Sequence, residues 1–277
     1  MTQPRFVHLR SRRFARAAVS VALLACTAPG FAAPDWDIIG LKLGMNEAEV
    51  TNTFQAYDPN GKIRVLQATV QYSDKIQSFN TPEFLSHMEL QTTQGSGRNV
   101  LPKTFVKVWF SGPPGEARAI AILRQEHNVA NAPSGEQFLQ ALASKYGQPS
   151  ATDSAGTPTW EEEGKPSCIR TAHGISTGPF SSNLSHKSDF SDSVAALERR
   201  QQGSGGGTGV DLPADLASCG AFLYYLGTIN NPASHFTGAM FDVGAIVAAQ
   251  RTRNAWVQQL EAEAIKKREG QAEAPRL

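Results

Sequence analysis

The sequence predicts an α+β protein: antiparallel β-sheets with packed helices, arranged as two tandem helix-plus-sheet units and ending in a long helix. Three observations predict it. Capped amphipathic helix starts occur twice, at Asn46 and at Ser134. Each is followed by strand-like runs broken by Gly, Pro and Asn turns. A third helical period then runs from Ala245 to Lys267.

The run DIIGLKL, residues 37–43, reads as a short strand. Asn46 then has N-cap chemistry, and Glu49 three residues later completes a capping box. Val50 and Phe54 form the apolar stripe of that helix, and YDPNG at 57–61 stops it. KIRVLQATVQYS predicts a strand with a phase break near Leu66-Gln67, and FLSHMELQT at 84–92 a further strand, with a short helix as the alternative. GSGRN at 95–99 is a loop. The clearest hairpin spans 104–127: Phe105, Lys107 and Trp109 alternate with Val106, Val108 and Phe110, and PPGE at 113–116 makes the turn.

In the second unit Ser134 and Gln137 repeat the capping box, Phe138, Leu142 and Tyr146 form the stripe, and Gly147 with Pro149 ends the helix. PTWEEE and PSCIRT predict short strands. A Ser/Gly-rich insertion covers 174–209, with a small helix at 190–201 and a tether-like GSGGGTG at 203–209. Strands follow around 218–229 and in HFTGAMFDVG. Trp256 and Leu260 lie on the apolar face of the last helix, and Glu263–Lys267 is a supporting pair. The boundaries are therefore 33–130 for the first unit, 131–269 for the second, and 270–277 for a frayed tail.

Residues 1–32 have the order of an export signal: Arg10, Arg12, Arg13 and Arg16, then apolar AAVSVALLACTA, then small residues before a cut after Ala32. Leu23-Leu24-Ala25-Cys26 also fits a lipobox, which makes Cys26 a candidate lipidation site and a lipid anchor the alternative to a free mature chain. SRRFAR at 11–16 shares features with a twin-arginine signal, so the export route stays open. The expected location is the periplasm or outside the cell. No later segment is apolar for the roughly 18 residues a span needs. In an oxidising compartment Cys168 and Cys219 pair as a disulfide. The competing metal reading, with His173 five residues after Cys168, has poor zinc spacing.

The stretch LGMNEAEV, residues 43–50, followed by strands, resembles the small periplasmic fold of the BamE (SmpA/OmlA) family and the tandem units of the beta-lactamase inhibitory protein family. The matching residues are Gly44, Met45, Glu49 and Val50, and Ser134 lacks a preceding Gly-Met step. The resemblance implies a secreted binding or assembly scaffold without catalysis, an inhibitor or immunity-type protein being one such case.

The formal net charge of +1 gives no bulk field for nucleic acid. No G-x-S-x-G, H-E-x-x-H or phosphate-binding loop occurs. Glu161, Glu162 and Glu163 are carboxylates that a strand would point to opposite faces. His87, His127, His173, His186 and His235 are scattered. No cofactor is implied. The expectation is a non-catalytic exported protein that binds another protein or an envelope component. Phe105 and Trp109 are its candidate partner surface if their sheet face is free. The alternative is a secreted hydrolase whose serine, histidine and carboxylate meet only in space.

Overall fold

The computed structural model describes residues 34–94, 101–127, 129, 131–153, 156–171, 174–175, 180, 184–203, 212–227 and 232–271. The segment expected to be an export signal, with Cys26, the loop at 95–99, His173, nearly all of the tether at 203–209 and the last residues of the tail lie outside them.

Helix α1 (Glu47–Tyr57) is followed by β1 (Lys62–Ala68), a small hairpin of β2 (Gln71–Ser73) and β3 (Ser78–Asn80), then β4 (Phe84–Gln94), β5 (Leu101–Phe110) and β6 (Ala119–Glu126). Helix α2 (Gly135–Tyr146) is followed by β7 (Ala151–Thr152), β8 (Pro158–Glu161), the pair β9 (Arg170–Thr171) and β10 (Gly174–Ile175), and α3 (Ser191–Gln201). Strands β11 (Ala221–Leu226) and β12 (Phe236–Asp242) then lead into α4 (Val243–Gly270).

One eight-stranded antiparallel sheet has the order β1-β4-β5-β6-β12-β11-β8-β7. Each half of the chain contributes four of its strands, laid from the edge inwards, and the halves meet where β6 pairs with β12. The expected units at 33–130 and 131–269 thus share one sheet.

Both capping boxes form. Asn46 Oδ1 accepts from the Glu49 N–H at 3.0 Å and Glu49 returns the bond to Asn46 N–H. Ser134 and Gln137 do the same. The Gly-Met step ties α1 to the sheet: Gly44 N–H donates to Ala119 C=O and Ala119 N–H to Met45 C=O, each at 2.8 Å. Gly44 has φ +83°, a conformation that favours glycine. The expected strand at 37–43 is instead a tight turn, with Ile39 and Gly40 at positive φ and an isolated bridge between Ile38 and Leu41. Burial of both Ile38 and Leu41 drives this reversal, and Asp37 Oδ1 accepts the Gly40 N–H at 2.7 Å.

The central strands of the sheet are buried on both faces. On the first face α1 and α2 cover Val106, Val108, Ile122, Leu223 and Met240 with Val50, Phe54 and Leu142. On the second, Phe180, Phe190, Val194, Leu197, Ile246 and Val247 pack on Trp109, Leu123, Phe222 and Phe241. A bulge shifts the β1–β4 register at Leu66/Gln67, where the alternation of apolar residues breaks.

The disulfide joins Cys168 to Cys219, with 5.8 Å between Cα atoms. The residues expected as a strand around it do not form one beside β11. Pro166 has no N–H to give a ladder, although its carbonyl accepts from Gly220 at 2.9 Å, and β8 takes the place next to β11. Gly270 closes α4 rather than opening the tail. Among the described residues no helix is long and apolar enough to cross a membrane.

Candidate functional site

Trp109 is not available as a partner surface. Its ring lies 5.3 Å from that of Phe190, centroid to centroid, and its indole N–H donates to the Lys187 carbonyl at 3.0 Å. It is only 1% exposed. Phe105 is half-buried against the same cluster. The alternation that sequence revealed is real, but the insertion and α4 supply a second layer over that face.

Under that layer lies a polar cluster that sequence missed. His87 and Glu89 on β4 stand opposite Trp109 and Lys107 on β5. Glu89 Oε1 is 3.4 Å from both Lys107 Nζ and His87 Nε2, and Glu89 Oε2 accepts from Arg64 on β1 at 3.2 Å. Lys107 also donates to the Ser185 carbonyl, and its ammonium sits 5.1 Å from the Trp109 ring. Ser86 Oγ is 3.1 Å from His87 Nδ1 and 3.0 Å from the Ser188 carbonyl.

Serine, histidine and carboxylate therefore meet, and Ser86 lines a cavity of about 140 Å³ with Phe84, Asp189, Ile246 and Arg253. Electrostatics weigh against nucleophile activation. Burial, with help from the Lys107 charge, pulls His87 down to about 4. So weak a base takes a serine proton poorly near neutrality. The single hydroxyl proton of Ser86 also has a carbonyl acceptor in competition with the imidazole. The cluster holds the insertion onto the sheet.

The acidic triplet adopts a different arrangement from that of a strand. β8 ends at Glu161, so Glu162 and Glu163 are free of its alternation, and all three line an open cavity of about 520 Å³ with Trp36, Tyr146 and Trp160. Glu161 pairs with Arg170 and Ser167, and Glu162 accepts the Ala221 N–H at 2.9 Å. Among the described residues no group of three or more His, Cys, Asp or Glu side chains could hold a metal ion.

Among the described residues the most exposed large apolar side chain, Ile76, lies elsewhere, on the β2–β3 hairpin. Tyr72 and Phe79 stack at 5.6 Å, Phe79 is 37% exposed and Ile76 at the turn is 75% exposed. The far half of α4 flanks them through Leu260, Ala264 and Arg268, leaving a groove of about 570 Å³. Asp74 shapes the turn by accepting from Ile76 and Gln77 N–H, and its carbonyl accepts from Arg268 at 2.7 Å. The only sequence signal for this surface was Ile76 standing among polar neighbours in YSDKIQSF.

Comparison with protein-family models, with curated proteins and with solved structures returns no match to this chain.

Proposed function

We propose that this chain is an exported, non-catalytic binding protein that engages another protein through the β2–β3 hairpin and the adjoining half of α4. One observation carries the reading. A large β-branched side chain, Ile76, is held out to solvent at 75% exposure beside the exposed Phe79. Covering an aliphatic side chain of this kind is worth about 1.5–3 kcal/mol, which a partner seated on the hairpin would gain. The hairpin is fixed by its Asp74 turn and by Arg268, so little ordering cost remains at binding.

Export is supported by the basic, apolar and small-residue order of residues 10–32, with a lipid tether at Cys26 as the alternative processing. The resemblance at Gly44–Val50 supports a periplasmic binding role. Among the described residues a serine, a histidine and a carboxylate meet at Ser86, His87 and Glu89, where the imidazole is too weak a base to serve the hydrolase reading.

A photo-reactive residue at position 76, introduced in the producing cell, tests the reading. A discrete protein adduct is expected from position 76 and none from Glu163 near the opposite edge of the sheet. Adducts of equal yield from both positions, or from neither, would overturn it.

A further inference from the structure

His127 and His235 are more than a hundred residues apart in sequence, yet their rings meet edge to face with centroids 5.8 Å apart. The register explains why. Phe236 on β12 pairs with Glu126 on β6, so His235 and His127 stand just past the last rung of the central strand pair. The backbone holds them there: His127 N–H donates to Lys103 C=O at 2.8 Å, and Val129 N–H to Ser234 C=O at 3.1 Å. Unlike the buried His87, His235 is exposed and His127 half-buried.

We infer that His127 and His235 together bind a late first-row divalent metal ion such as Cu²⁺ or Zn²⁺. Imidazole nitrogen is a preferred donor for these ions. Two imidazoles on one tetrahedral ion at about 2.0–2.1 Å from each nitrogen place their centroids roughly 5 Å apart, close to the 5.8 Å of this pair. Ser234 Oγ is 3.0 Å from His235 Nδ1 and leaves Nε2 for the ion, the arrangement that orients metal-ligating histidines.

Glu126 is not the third ligand, since it is held by Arg124 at 2.8 Å and by Thr104 at 2.9 Å. The remaining coordination positions would be filled by water or by a donor from another molecule. The Irving–Williams order makes Cu²⁺ the tighter probe. This inference stands apart from the protein-binding reading, and shares no residue with the hairpin surface.

The full chain, carrying no histidine tag, is titrated with Cu²⁺ alone and followed by calorimetry and electron paramagnetic resonance. One equivalent with the nitrogen splitting of two imidazoles is expected. His127→Ala and His235→Ala should each weaken binding by about 10-fold or more, while His186→Ala, an exposed histidine elsewhere, changes nothing. All variants are checked for an unchanged thermal transition without metal. Saturation only above about 1 mM, or wild-type affinity in both His127→Ala and His235→Ala, would overturn the site.

Discussion

Lys107 Nζ lies 3.4 Å from Glu89 Oε1, and the two side chains are 3% and 12% exposed on neighbouring strands. Burial pulls the Lys107 ammonium below its usual range and the Glu89 charge opposes that pull. Removing one partner strands the other charge in the protein. Lys107→Met should therefore cost up to about 3–5 kcal/mol, moderated by the Arg64 contact that Glu89 keeps. Glu89→Leu combined with Lys107→Met should cost less than the sum of the single changes. Urea unfolding measures both, and a single-variant cost under about 1 kcal/mol would mean the pair is solvated.

His87 gives the protein a pH dependence of definite sign. Its folded value of about 4 lies below the ordinary 6.5, so between these values the unfolded chain binds the extra proton. The His87 contribution to stability is then full above pH 6.5 and is lost as pH drops towards 4, by an amount on the order of 3 kcal/mol. His87→Gln should flatten this window relative to wild type. Equal pH slopes in the two proteins would show that His87 does not titrate there.

Trp109 is a core residue, so Trp109→Ala should destabilise by about 3–5 kcal/mol. It should also free the segment around Lys187, whose carbonyl loses its donor. Hydrogen exchange at residues 184–190 reports the second effect. A near-wild-type unfolding midpoint would contradict the packing against Phe190.

Reducing Cys168–Cys219 opens a loop with a sequence separation of 51. The chain-entropy argument gives a loss of up to about 4 kcal/mol, less if the reduced chain stays compact. Native, non-reduced protein should show no reactive thiol at either position. Two labelled cysteines there would refute the bridge.

The helix starts offer a matched pair of tests. Asn46→Ala and Ser134→Ala each remove one acceptor of a reciprocal capping box. Each should cost about 1 kcal/mol, read from the unfolding midpoint. Both effects should add, since the caps belong to different helices.

Local chemistry was legible in the sequence. The capping boxes, the bulge at Leu66-Gln67, the 104–127 hairpin and the final helix follow from side-chain period, cap oxygens and proline geometry. These act within a few residues. The disulfide followed from counting cysteines. What only the tertiary structure decided was which surfaces are covered and which distant residues meet. Alternation shows that Phe105, Lys107 and Trp109 share a face, but not that α3, α4 and Phe190 lie over it. The pairing of β6 with β12 joins the two halves of the sheet and brings His127 to His235. Neither contact leaves a trace in local pattern, because burial and register depend on strand order. That order is fixed by long-range packing, not by the residues on either side of a given position.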